Sequence, residues 1–248
     1  VLGLVTCRQT TGGHWQHAIV TTCMTDDSLV SNKTKERGYL APLYTSERDR
    51  TDGVFADKEL RFAALSPNLN GGQVAQLRGL YEDAATPDKV LAYIYAVLYS
   101  PLYRSRYVEF LRSDFPRIPF TKDRGTFIKL AELGQQLIDL HLMRSPELDN
   151  PISRFCGKGD SAVTKVEYDA GLGRVSINPT QYFDGVTPDL WSYQIGGYQA
   201  LAKWLKDRKG RFLTSADTIH YSRIVTVLAE TIVIQKQIDG HSFLGTTR

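Results

Sequence analysis

The sequence has few cysteines and no long apolar run, and both absences narrow the kind of protein it encodes. Cys7, Cys23 and Cys156 are the only cysteines among 248 residues. An odd number of cysteines at wide spacing favours a reducing cytoplasm over a disulfide framework. No signal peptide and no apolar stretch near the length of a membrane span can be found. We therefore expect no membrane association. The start at Val1 rather than at a methionine indicates a fragment of a longer protein.

The motifs of the common catalytic sites are also missing. The sequence contains no phosphate-binding Gly-x4-Gly-Lys loop, no Gly-x-Ser-x-Gly elbow and no nuclease set of acidic residues followed by lysine. Cys7, His14, His17 and Cys23 lack the close pairs that are usual in structural zinc sites. We expect this chain to have no catalytic residues, no metal and no cofactor of its own.

The overall charge is only mildly basic. Hydrophobic residues make up 42% and charged residues 23% of the chain, as in ordinary globular proteins. The formal net charge is +3. A nucleic-acid partner must therefore be inferred from where the cations lie, because the bulk charge does not decide it.

The middle of the chain predicts two consecutive helices. Thr86 and Pro87 form a helix start, because threonine can cap the first backbone amides and proline suits the first helical position. Ser100 and Pro101 end this helix and cap the next one. The apolar positions of the first helix recur at helical spacing: Val90, Leu91, Ile94, Val97 and Leu98.

The second helix and its exit are rich in aromatic residues and arginines. We expect Tyr103, Tyr107, Phe110 and Leu111 to face inward. The residues that follow, 115–120, cannot continue the helix. Pro116 and Pro119 flank Arg117 and fix an extended backbone there.

Near the N-terminus the pattern predicts a β-hairpin. Residues 1–6 and 16–23 favour strands, and Gly12-Gly13 favours a turn between them. Arg8, Gln9 and His14 lie in the connection, and we predict that they read DNA bases. The alternative is a solvated hairpin tip.

The remaining segments predict an α+β fold with a helix-rich core, small mixed or antiparallel sheets, and two lobes. The residues from Asp26 to Asp57 are polar, with one strand expected at residues 39–44, and residues 62–70 are expected to form a turn-rich connector. Further helices are predicted at residues 71–80, from Thr121 or Asp123 onwards with a broad apolar face, and at residues 214–240. In the last of these helices Thr214 with Asp217 resembles a capping box, and Ile219 is expected to pack inward. Asn150-Pro151 marks the boundary between an N-terminal lobe, 1–150, and a C-terminal lobe, 151–248.

In the second lobe, residues 163–168 and 174–177 predict a hairpin. Residues 178–182 are similar to the Asn-Pro-Pro-aromatic motif of amino-methyltransferases, but the proline and the aromatic are one residue too far apart. We interpret this segment as a structural turn. Residues 191–198 predict a short strand and turn, and residues 198–207 a helix.

The far end of that helix is distinctly basic. Cations near a helix C-terminus are expected from the helix dipole alone, which is the plainer interpretation. The functional interpretation is contact with DNA phosphates. The residues concerned are Lys203, Lys206, Arg208, Lys209 and Arg211.

Two blocks resemble one protein family. The run YAVLYSPLYRSRYVEFLRSDFPRIPF and the block at residues 190–198, followed by residues 203–211, are similar to the C-terminal specificity region of Type ISP restriction-modification enzymes. The resemblance extends from about Val1 to Ile238. Its signature positions, for which we expect structural roles, are Tyr103, Arg104, Tyr107, Pro116, Arg117, Pro119, Trp191, Tyr193, Gly196, Gly197 and Trp204.

This resemblance implies a bacterial cytoplasmic protein of phage defence, in which nuclease, helicase and adenine methyltransferase modules precede a target recognition domain. S-adenosylmethionine, ATP and magnesium are implied for that parent enzyme and not for this fragment. The implied partners are double-stranded DNA and the methyltransferase and helicase modules of the same chain.

Two hypotheses follow. The leading one is a domain that recognises a DNA target for the methyltransferase. The alternative is a helical module that docks the neighbouring modules and touches DNA only non-specifically; in it, Arg104, Arg112 and Arg117 would form internal salt bridges. A residual nuclease or methyltransferase activity is a third possibility, which we do not expect.

Overall fold

The computed structural model describes residues 1–33, 36–46 and 65–244. Parts of three predicted segments lie outside these residues: residues 34–35 and 47–57 of the polar stretch that ends at Asp57, the start of the connector at Phe62, and the end of the C-terminal tail to Arg248.

A three-stranded antiparallel sheet opens the chain. Its strands are β1 (Gly3–Cys7), β2 (Ala18–Thr21) and β3 (Gly38–Pro42), in the order β2-β1-β3. The central strand β1 buries Val5 and Cys7 completely. The predicted hairpin and the strand predicted at residues 39–44 are both present here.

A small two-stranded sheet replaces part of the predicted connector. Strand β4 (Tyr44–Ser46) pairs with β5 (Leu65–Pro67). Asn68 closes the pair, because its backbone N–H donates to the Leu43 carbonyl at 2.8 Å and its side chain donates to the Pro42 carbonyl at 3.0 Å. The expectation of a turn-rich connector is therefore wrong for residues 65–67.

Five helices follow, and their ends agree with the capping signals in the sequence. They are α1 (Gly71–Tyr81), α2 (Pro87–Tyr99), α3 (Pro101–Arg106), α4 (Val108–Ser113) and α5 (Arg124–His141). Thr86 accepts a hydrogen bond from the Lys89 amide, and Ser100 accepts one from the Tyr103 amide. Asp123, one of the two predicted starts, caps α5.

Helices α2 and α5 pack tightly against each other and form the centre of the first core. A Cβ at Gly134 of α5 would collide with the Ala92 carbonyl oxygen of α2, so only glycine allows this approach. Phe127 stacks on Tyr81 with ring centroids 3.9 Å apart. The broad apolar face predicted for α5 is therefore buried.

The second predicted helix is broken into two. Tyr107 leaves helical geometry, with φ −112° and ψ 18°, and separates α3 from α4. The break shifts the helical phase, so Leu111 is buried whereas Phe110 is 73% exposed. The prediction that Phe110 faces inward is wrong.

The second half of the chain begins with a four-stranded antiparallel sheet in the order β6-β9-β8-β7. Its strands are β6 (Phe155–Cys156), β7 (Glu167–Asp169), β8 (Arg174–Ser176) and β9 (Tyr182–Phe183). The elements that follow are α6 (Pro188–Ser192), β10 (Gln194–Ile195), β11 (Tyr198–Gln199), α7 (Ala200–Lys206) and α8 (Ser215–Asp239). Trp191 thus lies in a helix rather than in the predicted strand.

Helix α8 contributes to two hydrophobic cores. Its residues Ile234 and Ile238 pack in the first core with α2 and α5, whereas Val225 and Leu228 pack in a second core with the four-stranded sheet. Ile219, predicted to face inward, is 53% exposed near the helix start. The α+β class with a helix-rich core is confirmed, and the lobe boundary at residue 150 stays a prediction.

The described helices include none that is long and apolar enough to cross a membrane.

Candidate nucleic-acid interface

The connection between β1 and β2, residues 8–17, is held in place from both sides; we call it the β1–β2 loop. The Thr10 amide donates to the Arg112 carbonyl of α4 at 3.1 Å. The Gln16 carbonyl accepts from the Gly196 amide at 2.8 Å. The loop therefore lies between the end of α4 and the turn joining β10 to β11.

A buried carboxylate fixes the inner side of the β1–β2 loop. Glu36 is 1% exposed. One of its oxygens accepts hydrogen bonds from the Thr11 amide at 2.6 Å and the Thr11 hydroxyl at 2.5 Å, and the other lies 3.3 Å from His17 Nε2. Burial alone would raise the pKa of Glu36, but hydrogen bonds from Ser31 and Thr11 outweigh burial and lower the pKa to about 2. Glu36 is therefore ionised at neutral pH.

The three predicted base-reading residues are exposed on this loop. Arg8 Nε forms an ion pair with Asp114 at 3.2 Å, while both groups remain about half exposed. Within the described ranges, the side chains of Gln9 and His14 make no hydrogen bond. Arginine can pair with guanine and glutamine with adenine in the major groove, so the loop offers suitable chemistry on a fixed backbone.

Two of the five cations predicted to contact phosphates are already engaged within the chain. Lys203 forms an ion pair with Asp207 at 2.5 Å. The Arg208 guanidinium lies 3.5 Å from the centre of the Trp204 ring and 3.7 Å from an Asp217 oxygen. Arg208 therefore has a packing role in addition to its charge.

The other three cations, Lys206, Lys209 and Arg211, are exposed and form no ion pair in the described part of the chain. Their backbone is fixed, because Gly210 and Arg211 exchange hydrogen bonds with Val163 at 2.8 and 2.9 Å. We call residues 203–211 the basic segment. It exposes three positive charges, one at the end of α7 and two in the turn that follows.

No hydrogen bond or ion pair connects the basic segment with the β1–β2 loop among the described residues. The basic segment is hydrogen-bonded to Val163, which precedes β7 in the sequence. The β1–β2 loop is hydrogen-bonded to Arg112 of α4. The structure thus leaves the two predicted contact regions as separate elements.

The first signature block stabilises the chain around the proline-flanked exit. The Tyr103 hydroxyl donates to the Arg117 carbonyl at 2.9 Å, and the Tyr103 ring packs on Tyr107. The Tyr93 hydroxyl donates to the Pro119 carbonyl at 2.8 Å. The Arg117 side chain is exposed, and Pro116 is half-buried.

Arg104 of the same block is half-buried and lies under aromatic rings. Its Nε donates to the Leu98 carbonyl at 2.6 Å, and its guanidinium carbon lies 4.6 Å from the centre of the Tyr99 ring.

The second signature block docks onto the first sheet. Gly196 has φ +57°, and a Cβ there would collide with the Val30 carbonyl oxygen, so glycine is required. The Gly197 amide donates to the same carbonyl at 3.1 Å. Trp191 stacks on Tyr168 with ring centroids 4.9 Å apart. Because the Gly196 amide also donates to the Gln16 carbonyl, the block connects the β10–β11 turn both to the β2–β3 connection and to the β1–β2 loop.

Residues considered for other chemistry have structural partners. Asn178 uses its side-chain oxygen to accept from the Thr180 and Gln181 amides and its side-chain nitrogen to donate to the Ala162 carbonyl. The Cys7 thiol is buried, and burial raises its pKa to about 11. No group of three or more metal-binding side chains occurs within the described ranges.

No local pattern in the sequence indicates the two acids that hold the β1–β2 loop. Glu36 belongs to the polar stretch from Asp26 to Asp57, and Asp114 follows the end of α4. Both act across long chain separations, 25 residues for Glu36 to Thr11 and 106 for Arg8 to Asp114, which local patterns cannot reveal.

Comparison with solved structures shows the same fold in three proteins. The ATP-dependent Type ISP restriction-modification enzyme LlaBIII bound to DNA matches 96% of this chain with a TM-score of 0.69 and 18% identity. A nuclease-deletion mutant of the Type ISP enzyme LlaGI in complex with a DNA substrate mimic matches 96% with a TM-score of 0.65 and 19% identity. A DrdV–DNA complex matches 99% with a TM-score of 0.67 and 20% identity.

The chain spans only 16%, 21% and 25% of the length of these three proteins, respectively. No curated protein matches it. The family model described as the Type ISP C-terminal specificity domain matches residues 2–236, nearly the whole of the resemblance inferred from the two signature blocks. The chain therefore belongs to the Type ISP C-terminal specificity domain family.

Proposed function

We propose that this chain is a target recognition domain that reads a short asymmetric site in duplex DNA for an adenine-specific DNA methyltransferase within a restriction-modification enzyme. The observation that carries the proposal is the β1–β2 loop. Its exposed side chains Arg8, Gln9 and His14 stand on a backbone fixed by Arg112, Gly196 and the buried Glu36.

In this proposal the two regions have different tasks. The β1–β2 loop enters the major groove, where each good bidentate contact contributes roughly 1–3 kcal/mol of discrimination between bases. The basic segment contacts phosphates, which adds affinity on every sequence and carries no sequence information. Lys206, Lys209 and Arg211 supply the available charge, and Lys203 and Arg208 contribute less because each already has an acidic partner.

The comparisons support this proposal. LlaBIII, LlaGI and DrdV were each solved with DNA or a DNA mimic, and this chain shares their fold over most of its length. Because it corresponds to a quarter or less of those chains, the rest of a parent enzyme would supply methyltransferase and helicase modules. S-adenosylmethionine, ATP and magnesium would bind to those modules in a bacterial cytoplasm, in keeping with a role in phage defence.

The proposal is tested by binding the chain to a pool of random duplexes at increasing salt and sequencing the retained DNA. We expect one short asymmetric motif to be enriched. The triple variant R8A/Q9A/H14A should retain DNA with the same salt dependence but without that motif, because it keeps the basic segment.

Two results would contradict the proposal. Enrichment of the same motif by the triple variant would remove the β1–β2 loop from base reading. Salt-sensitive binding of the unaltered chain with no enriched motif would favour the docking alternative.

One observation favours that alternative, a module that docks the neighbouring methyltransferase or helicase modules. Phe110 and Phe115 are 73% and 40% exposed and line a groove of about 590 Å³ with Ile118 and Pro119. Such an exposed apolar surface is typical of protein contacts. Under this alternative, F110A would weaken association with the purified methyltransferase module and leave DNA selection unchanged.

A further inference from the structure

A second cavity lies where the two signature blocks and the β1–β2 loop meet. It has a volume of about 450 Å³ and is lined by the loop residues Trp15 and Gln16, by Arg104 of α3, and by Tyr193 and Gln235. Gly13 and His14 stand at the same cavity. Arg104 and Tyr193, one from each block and 89 residues apart in the sequence, therefore contribute to a single site.

Four residues that line this cavity each carry a buried polar atom without a hydrogen bond in the described part of the chain. In the described ranges, nine buried side-chain nitrogen and oxygen atoms lack a hydrogen bond, and four of them belong to residues that line it. Buried polar groups are nearly always paired, so such a concentration indicates a missing partner. The four atoms are Trp15 Nε1, Gln16 Oε1, Arg104 Nη2 and Tyr193 Oη.

The charge balance of the cavity is positive. No carboxylate forms an ion pair with Arg104 among the described residues. Its Nε donates to the Leu98 carbonyl, its guanidinium lies on the faces of Tyr99 and Trp15, and it approaches the hydroxyls of Tyr99 and Tyr193. A partly buried guanidinium is costly without a counter-charge. The cavity therefore favours an anionic partner.

Tyr193 and Trp15 add neutral donors. Burial raises the pKa of Tyr193 to about 12, so its hydroxyl keeps its proton at neutral pH. Arg104 and Gln235 lie close enough to oppose that rise, but neither makes a hydrogen bond of acceptable geometry with the hydroxyl. Trp15 Nε1 can only donate. Three donors, one of them cationic, match the oxygen atoms of a phosphate group.

We propose that this cavity binds one phosphate group of the DNA backbone, with Arg104 as counter-charge and Trp15 Nε1 and the Tyr193 hydroxyl as donors. The proposal rests on the proposed DNA function and names a contact beyond the basic segment. A phosphate contact also suits residues of a family signature, because it positions the duplex without encoding its sequence.

Two variants test the site. Y193F removes one hydroxyl, whereas W15F removes the indole N–H together with part of a buried ring and is therefore compared at a temperature at which it is fully folded. Loss of an unpaired buried polar atom does not weaken the fold, so Y193F should unfold at the same temperature as the parent or at a higher one. Each variant should bind duplex DNA about tenfold or more weakly, with an unchanged salt slope because Arg104 remains. Y93F is the matched control, since that hydroxyl does not line the cavity and already donates to the Pro119 carbonyl at 2.8 Å. It should lose stability and bind DNA like the parent.

A single neutral methylphosphonate, moved through the selected duplex, identifies the phosphate. At one position the methylphosphonate should weaken DNA binding by the parent about tenfold, and there it should not weaken DNA binding by Y193F any further. A titration with inorganic phosphate, monitored by the NMR chemical shift of the Trp15 indole N–H, shows whether a free anion also binds in the cavity.

DNA affinity equal to the parent in both variants overturns the DNA assignment. A Trp15 shift by inorganic phosphate that is lost in Y193F would then identify a free anion as the occupant. The absence of any shift would show that the cavity binds no phosphate, and this result would overturn the proposal. If the parent binds no DNA, the proposed function fails, and the inorganic phosphate titration alone decides whether the cavity is an anion site.

Discussion

The β1–β2 loop and the basic segment are both proposed to contact DNA, yet they are built in opposite ways. The loop is organised around a buried charge, Glu36, which binds the Thr11 amide and hydroxyl and lies beside His17. The basic segment has its charges outside, on a turn whose Gly210 and Arg211 exchange backbone hydrogen bonds with Val163.

This difference agrees with the two tasks. Reading a base edge requires side chains to be held close to one geometry, and a buried, fully bonded carboxylate provides that. Contact with phosphates depends mainly on charge within reach, and flexible lysines suffice for it. Substitutions should therefore affect stability at the loop and affinity at the basic segment.

The largest effect is expected for E36A. The variant removes the charged acceptor of the Thr11 amide and hydroxyl and leaves a space beside the buried His17, so we expect the free energy of unfolding to fall by about 1.5–3 kcal/mol in urea denaturation. D27A is the control, because Asp27 forms only an exposed pair with Arg37, and it should change stability by about 0.5 kcal/mol or less. Equal losses in both variants would show that Glu36 does not organise the loop.

The dependence of stability on pH should come from the same buried groups. Burial lowers the pKa of His17 below its ordinary value of 6.5, and the pKa of Glu36 falls from 4.5 to about 2. For both groups the folded state binds fewer protons than the unfolded state, so stability is full above the unfolded pKa and is lost on acidification.

We therefore expect the free energy of unfolding to decline below about pH 6.5 and more steeply below about pH 4.5. Urea denaturation between pH 7.5 and 4 measures it. His141, whose pKa burial lowers to about 3, adds to the decline from the first core. E36Q should match the parent's slope above pH 4.5 and show a shallower slope below it. Rising stability on acidification would contradict this assignment.

The smallest effect on stability is expected for K209A/R211A, which should unfold like the parent. Its DNA affinity should fall, and the slope of log affinity against log salt should decrease by about 2, one for each lost phosphate contact. The double variant K122A/K236A, which removes the same net charge from exposed helix-flanking positions, is the control. R208A should instead lose about 1 kcal/mol of stability, because it removes the stack on Trp204. An unchanged salt slope in K209A/R211A would separate the basic segment from DNA binding.

Much of the fold could be predicted where the signals are local. Thr86, Ser100 and Asp123 cap helices as expected, and Thr214 with Asp217 forms the predicted capping box. These signals act within three or four residues. The break at Tyr107 could not be read in the same way, and Phe110 was therefore placed on the wrong face.

The candidate site depends on contacts between residues that are distant in the sequence, so fewer of its features could be predicted. The exposure of Gln9 and His14 agrees with their prediction as surface readers, whereas their roles stay predictions. The burial of Glu36 and the stacking of Arg208 on Trp204 depend on tertiary packing. The meeting of Trp15, Arg104 and Tyr193 at one cavity joins three parts of the chain that no periodicity connects.

Helix α8 has a consequence for how the chain can be divided. Its 25 residues extend for about 37 Å and supply Ile234 and Ile238 to the first core and Val225 to the second. A protein cut at residue 150 would expose the apolar face that α8 covers on α2 and α5. Recombination at the predicted boundary would therefore deliver a first core without the helix that covers it, so residues 1–150 and α8 would have to be exchanged together.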